Sequence, residues 1–358
     1  KLNNIMNICL LGNNLTNLVL ANIFLRNKIN VDIICHTHTP ALKNTIRTIA
    51  ISNENYKFLK ENIKNFSNLG WPTSMIKIYS EKNRSSELFE FKNKNQNNFY
   101  LLKYIDFYNL LRKNKFLKFL KYKNYGFETI NKRNYNLIIN SEHNNLITKK
   151  FFYKKIGKNY NSFAHTAIIN HKKIENKIAT QIFTNNGPLA FLPLSNSQTS
   201  IVFSNNSNKS INKKTLLEII NQYDHKYIIN NISNVESFGI KFSLLRNYVY
   251  KNILSFGDLI HKVHPLAGQG FNMTIRDIKS LSLILDENIK LGIEDGETIA
   301  QKFQEKNKHL NFMYGFGIDS INSFFKLDNK LKNNLSEPLF KILKGNKFLN
   351  NYATFFSN

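Results

Sequence analysis

The sequence predicts an α/β protein with a Rossmann-like dinucleotide-binding unit, an antiparallel β-sheet domain and a helical C-terminal region. Three observations predict it. A short apolar strand, a Gly-Asn-Asn turn and an apolar helix open the chain, alternating strands with hairpin turns fill its middle, and a Gly/Pro-rich loop runs into a long amphipathic segment after residue 270.

Residues 8–11 read as the first strand, Gly12-Asn13-Asn14 as a turn, and 31–35 as a second strand. Between them 15–26 read as a helix packing through Leu18, Ala21, Phe24 and Leu25, with Ile23 at the flank. On a GxGxxG fingerprint the turn supplies Gly12, Asn14 and Asn17, so asparagine replaces two of three glycines. Asparagine tolerates positive φ better than most side chains, so the turn can form. The Asn side chain is expected to crowd both a bound pyrophosphate and the helix–strand contact that the later glycines open. The acidic residue expected at the end of the second strand falls on Cys35, whose thiol cannot accept ribose hydroxyls as a carboxylate does.

In the middle of the chain, Leu137, Ile138 and Ile139 form a strand followed by Asn140-Ser141-Glu142-His143. From 162 to 204 the pattern becomes antiparallel. Residues 179–184 lead through Asn185-Asn186-Gly187 into 188–194, and 199–203 follow; Asn-Gly between apolar runs is a hairpin signal.

The densest signal is Gly257-Asp258, then His264-Pro265-Leu266-Ala267-Gly268-Gln269-Gly270-Phe271-Asn272. Gly268 and Gly270 allow positive φ or close backbone approach, and Pro265 stiffens the entrance. From Phe271 onward Ile275, Ile278, Leu281, Leu285 and Ile289 recur at helical steps, with Lys290 and Gly292 as the end. Such a loop brings unpaired N–H groups and the positive end of a helix dipole to one place, which suits an anion or an electron-rich ring edge.

This segment resembles the second flavin motif of the aromatic-ring flavoprotein monooxygenases, most nearly that of the ubiquinone-biosynthesis hydroxylases of the UbiH type. The matching positions are Gly257, Asp258, His264, Pro265, Ala267, Gly268, Gln269, Gly270, Asn272 and Asp277; Thr274 stands where that family has glycine. Arg47-Thr48-Ile49-Ala50-Ile51-Ser52 is similar to the family's RTIALS stretch, and 187–194 to its GPLALLPL strand. At 140–143 the family's GADG becomes Asn-Ser-Glu-His, which puts the flavin or nicotinamide contacts of that motif in doubt.

The resemblance implies an FAD-binding domain made of 1–75 with 98–160 and 251–310, a β-sheet substrate domain made of 76–97 with 161–250, and a C-terminal helical region, 311–358. It implies that Asp258 holds the ribityl chain, that Arg47 lies beside the flavin phosphates, and that backbone N–H groups from Gly268 to Asn272, Phe271 included, face the pyrimidine edge. Gly12, Asn14, Asn17, Cys35, Gly257, Ala267, Gln269 and Gly270 complete the cofactor set, with Pro265 lining the flavin's reacting side. The implied chemistry is hydroxylation of a polyprenylated aromatic ring. NAD(P)H reduces the flavin, O₂ adds to give a C4a-hydroperoxide, and no side chain is needed as a catalytic base. The replaced glycines keep an alternative open: a flavin-poor fold serving as a scaffold in a quinone-biosynthesis complex.

Composition bounds the rest. The 358 residues carry 50 Lys and Arg against 24 Asp and Glu, a net charge of +26, and 13% aromatic residues. The lysines are spread among abundant Asn and Ile, which fits either a compositional bias or attraction to an anionic membrane. A third reading is a basic binding module that uses the fold only as a scaffold; no nucleic-acid-binding motif supports a nucleic-acid partner. Two cysteines, Cys9 and Cys35, exclude a disulfide framework and suit a cytoplasmic protein. The expected location is cytoplasmic, with peripheral contact at the inner membrane. The Phe/Lys-rich tail from 311 fits packing on its own domain or lying on an anionic bilayer. The histidines lack metal-site spacing, so no metal is expected.

Overall fold

The computed structural model describes residues 6–35, 45–81, 89–92, 97–121, 130, 134–205, 207, 209–265 and 268–331. Ala267 and the tail beyond 331, both singled out in the sequence, lie outside the described residues.

The opening βαβ unit consists of β1 (Asn7–Leu11), α1 (Leu15–Arg26) and β2 (Asn30–Cys35). β1 and β2 pair in parallel, Ile8 opposite Val31 and Leu11 opposite Ile34. Then come β3 (Thr48–Ser52), α2 (Asn53–Asn62), β4 (Trp71–Thr73), β5 (Met75–Ser80), β6 (Phe89–Lys92), β7 (Phe99–Lys103), α3 (Tyr104–Arg112), β8 (Lys118–Lys121), β9 (Leu137–Asn140) and α4 (Leu146–Phe151). The central stretch holds β10 (Lys155–His171), β11 (Ile178–Thr184), β12 (Gly187–Pro193), β13 (Gln198–Asn205), α5 (Lys213–Tyr223), β14 (Ile229–Ile232) and β15 (Glu236–Leu245). β16 (Val249–Tyr250), β17 (Ile253–Ser255), β18 (His261–Lys262), α6 (Gln269–Lys290) and α7 (Gly296–Leu331) complete the described chain.

These strands make three sheets. The first, β16-β17-β9-β1-β2-β8, is parallel apart from the β16/β17 hairpin. The second runs β18-β15-β10-β13-β12-β11-β5-β6, with β14 also on β10; it is antiparallel except where β11 meets β5. The third, β3-β7-β4, lies against it through the Thr48–Ser200 hydroxyl pair at 2.9 Å and an apolar contact of Ala50, Phe99 and Leu101 with Ile76, Leu192 and Leu194. The main core surrounds α1, whose Leu18, Val19, Leu20 and Ala21 are all fully buried. Ile275, Ile278, Leu281 and Leu285 of α6 join that core, whereas Ile289, expected in the same stripe, is 40% exposed because the helix end overhangs it. A second core lies between one face of the large sheet and α5.

Two expected unit boundaries fall inside single elements. Residue 160 lies within β10, whose start pairs with β15 and whose remainder also pairs with β13. Residue 310 lies within α7, where Ile299, Phe303, Asn307, Asn311, Ile318 and Asn322 are buried at steps of one or two helical turns. Three members of that stripe are asparagines, so a search for apolar period misses its continuity. Asn307 donates to Ser280 Oγ at 2.8 Å and Asn311 to Asp277 at 3.2 Å, which ties α7 to α6 through polar contacts.

Candidate functional site

The β1–α1 turn is closed by hydrogen bonds of its own asparagines. Gly12 adopts φ 109°, and its N–H donates to Ile34 O at 2.8 Å. Asn14 caps α1 by accepting from the Asn17 N–H at 3.1 Å and donates to Ser141 Oγ at 2.8 Å. Asn17, expected to crowd a pyrophosphate, instead turns beneath the loop and donates to Leu11 O and Gly12 O, both at 2.8 Å. It thereby fills the helix–strand gap that a glycine would leave and stays off the outer surface of the turn. A side chain at Gly12 would come within 2.5 Å of Glu142 Cγ, so the 140–143 segment lies directly on this turn. Cys35, at the end of β2, is 2% exposed, so its sulfur is enclosed and does not line an open ribose site.

Gly257 and Asp258 begin a short 3₁₀ turn that rests on the first turn of α1, where a Cβ at Gly257 would meet Thr16 at 3.0 Å. Asp258 is exposed there, within electrostatic range of Tyr104 and His143. Burial and the neighbouring Tyr108 push Tyr104 up to about 12, opposed by the guanidinium of Arg47. The Arg47 side chain stands 3.9 Å from Glu236 and 4.4 Å over the Phe238 ring, while its carbonyl accepts from Tyr104 N–H at 2.9 Å. Glu236 also accepts from Thr45 Oγ1 at 2.8 Å and from Ile46 N–H at 2.9 Å, which pins the strand that presents Arg47. On the other side of Asp258, partial desolvation, with Lys155 and Lys262 adding to it, holds His143 below the ordinary histidine range; Asp258 opposes them.

The third segment is the loop and helix start after β18. Gly268 has φ 68°, and a Cβ there would sit 2.8 Å from that of Ala50, so only glycine lets the loop cross β3 this closely. Asn272 locks the crossing. Its Oδ1 accepts from Ser52 N–H at 2.9 Å and from Asn55 at 3.0 Å, and its Nδ2 donates to Ala50 O at 2.9 Å. The Asn272 side chain is therefore a structural clamp, and only its backbone remains for a ligand. Phe271 is likewise left with its backbone for a ligand, since its ring packs edge-on against Phe107 at 6.2 Å. Thr274, which replaces a glycine of the family pattern, is buried and returns its hydroxyl to Gly270 O at 3.3 Å. Pro265 is half-buried at the loop, and Gln269 holds a buried Nε2 with no hydrogen-bond partner among the described residues. Behind the loop, His261 Nε2 pairs with Asp277 Oδ2 at 2.8 Å, both side chains fully buried.

Facing these segments is the inner side of the large sheet. One register row crosses it through Ile78, Gln181, Ala190, Val202, Thr166 and Glu236. On the rows beside it, Leu192 packs toward β3 and Phe183 toward Met273 of α6. The middle of the wall is thus lined by small side chains between two apolar contacts, which leaves width for a flat ring.

The structure brings Gly12, Asn14, Arg47, Gly257, Asp258 and the 268–272 helix start to one end of the parallel sheet. It leaves Asn17 and Cys35 buried beneath that surface. Tyr104 and the Glu236/Phe238 pair that holds Arg47 had no signal in the sequence, because each is brought in by long-range strand pairing. FAD suits this set: among the described residues Gln269 holds a buried amide donor without a partner and no side chain caps the α6 N-terminus, and the tight Gly268–Ala50 crossing fixes the N–H groups of that helix start.

A parallel sheet that carries the turn and the loop, faced by a large antiparallel sheet, is a fold shared with solved FAD-dependent monooxygenases. Residues 155–295 match the family model for an FAD binding domain. Superposition on p-nitrophenol 4-monooxygenase PnpA from Pseudomonas putida gives a TM-score of 0.74 over 99% of this chain and 97% of that one, at 10% identity. HpxO from Klebsiella pneumoniae, solved with FAD and uric acid, gives 0.71 over 98% and 96%, at 9% identity. In sequence, part of the chain is similar to ubiquinone-biosynthesis hydroxylases. It is 26% identical over 183 residues to the mitochondrial ubiquinone biosynthesis monooxygenase COQ6 of Dictyostelium discoideum, covering 40% of this chain and 37% of that protein. It is 26% identical over 144 residues to the ubiquinone hydroxylase UbiL of Rhodospirillum rubrum, covering 38% and 34%. The matched stretch thus spans well under half of either relative's length.

Proposed function

We propose that this chain is an FAD-dependent monooxygenase that hydroxylates the aromatic ring of a polyprenylated ubiquinone precursor, using NAD(P)H and O₂. The observation that carries the reading is the convergence of Arg47, Asp258 and the α6 N-terminus at the end of the parallel sheet, opposite the small-residue wall.

Asp258 would accept hydrogen bonds from the ribityl hydroxyls, Arg47 would balance the phosphates, and the N–H groups from Gly268 to Asn272 would stabilise negative charge at the pyrimidine edge. When bound, FAD supplies the redox and oxygen-transfer chemistry. The chain's own share is to orient and to exclude water. Arg47 is held by Glu236 and Phe238, Gly268 is fixed by the Asn272 clamp, and the wall of Ala190, Val202 and Thr166 offers a dry surface for the ring. No side chain is assigned as a general base. Peripheral contact with the inner membrane and membership of a ubiquinone-biosynthesis complex belong to the same proposal. The flavin-poor alternative loses one support because Asn17 turns under the loop and not into the space of a pyrophosphate.

The test is the visible absorption spectrum of the purified protein with FAD, repeated on Asp258→Ala. Asp258 is exposed, so the variant should fold as the parent does. A bound-flavin spectrum that weakens at least tenfold in affinity in the variant, with NAD(P)H oxidation and oxygen uptake by the parent, supports the reading. A parent that binds no flavin refutes it.

A further inference from the structure

The second half of α7 carries an apolar face that the core does not use. Met313 is 56% exposed and Phe316 is 43% exposed. Phe312 lies tilted beside Phe316 at a centroid distance of 6.1 Å, and Phe316 meets Phe242 of β15 at 5.6 Å. The helix reaches the sheet this closely because of Gly315, where a Cβ would come within 2.8 Å of Leu244 Cδ2.

Phe238, Ile240 and Phe242 alternate along the inner side of β15, so a continuous apolar row, buried at Ile240 and Phe242, joins the ring under Arg47 to the exposed Phe316. Tyr160 links the two regions from the other side: it hydrogen-bonds Asp319 of α7 and meets His264 of the loop edge-on at 5.5 Å.

The surroundings are mainly basic. Lys158 lies opposite Phe242 across the β10/β15 pair, on the same side of the sheet. On α7, Lys306, Lys308 and His309 precede the aromatic turn, Lys306 two helical turns before Met313; Glu305 is the acid before them, and from 306 to 318 the helix contains no carboxylate. The next acid, Asp319, is already bonded to Tyr160.

We propose that Phe312, Met313 and Phe316, ringed by Lys158, Lys306 and Lys308, are the surface by which this protein docks on an anionic lipid bilayer. Exposed aromatic and sulfur-containing side chains enter the boundary between headgroups and acyl chains, and the lysines meet the lipid phosphates. Charge decides the occupant: a second copy of a chain of net charge +26 would bring lysines against lysines. The inference rests on the monooxygenase reading only for its use, which is to hold the protein at the membrane that carries a polyprenyl substrate.

The experiment is co-sedimentation of the full chain with phosphatidylcholine vesicles, with and without phosphatidylglycerol, while flavin absorbance is read on the same samples. Binding is expected only to the anionic vesicles. Lys158→Gln with Lys306→Gln should weaken it about 25-fold, from about fivefold per lysine. Met313→Glu with Phe316→Glu should weaken it at least tenfold, with the flavin spectrum unchanged. Lys60→Gln with Lys64→Gln, near the C-terminal end of α2, should leave it within about twofold, since charge away from the surface is screened. Equal losses in all three pairs, no vesicle binding by the parent, or self-association through this face without vesicle binding would each overturn the proposal. Vesicle binding by a chain that holds no flavin would sink the monooxygenase reading and leave the docking surface standing.

Discussion

Replacing Asn272 by alanine separates a clamp from a ligand contact. The side chain is 6% exposed and joins β3 to the start of α6 through Ser52 N–H, Asn55, Ala50 O and, at 3.3 Å, Gly268 O. Ser52 and Asn55 are themselves buried, so neither finds water as a substitute. An unsatisfied buried donor or acceptor costs about 1–3 kcal/mol, and the two short backbone bonds, to Ser52 N–H and Ala50 O, are the ones that cannot rotate toward new partners. The expected loss is about 2–5 kcal/mol in the flavin-free protein. At about 1.4 kcal/mol per tenfold this is a factor of roughly 30 to 4,000 in the opening equilibrium. Amide exchange at Ser52, followed with a denaturant melt of flavin-free protein, reads it directly. Asn272→Asp keeps both acceptor contacts and loses the donor to Ala50 O, so it should fall between alanine and the parent. If flavin-free Asn272→Ala melts like the parent and keeps Ser52 protected while only FAD affinity falls, the clamp assignment is wrong.

Three further outcomes follow from the same geometry. Gly268→Ala places a Cβ 2.8 Å from that of Ala50 at φ 68°, and should cost about 2–5 kcal/mol from the left-handed backbone and the overlap together, with weaker FAD binding in an absorbance titration. Asp277→Ala leaves His261 and Asn311 without their buried acceptor and Arg276 without its nearby carboxylate, so a loss of about 3–5 kcal/mol is expected in thermal melts. Burial holds His165 below its ordinary value of 6.5, so the unfolded chain takes up that proton first. Its contribution is complete above 6.5, is lost as the pH falls from 6.5 toward the folded value, and levels off below it; His165→Gln should flatten the melting temperature across that window.

The turns and periods that reside in neighbouring residues were legible before any fold was known. Helix 15–26, the break at Asn185-Asn186 and the end of α6 at Lys290 needed only local pattern and backbone preference. The Gly/Pro loop was equally plain, because several residues of special φ in one stretch have few other uses. Sequence alone could not assign the asparagines. Asn17 and Asn272 read as cofactor contacts and Asn307 and Asn311 gave no signal, yet each is buried and bonded to groups that the fold brings to it. An amide has no inside or outside of its own; its partners decide. Arg47 and its holders Glu236 and Phe238 are nearly 190 residues apart in the chain, as Lys158 is from Phe316 by a similar order, and only strand register and helix packing bring such groups together. The sequence by itself therefore determined the nucleotide-type turn, the amphipathic helix and the identity of the loop. Tertiary structure alone decided which polar side chains face a ligand and which hold the walls, because burial and partnership depend on distant residues.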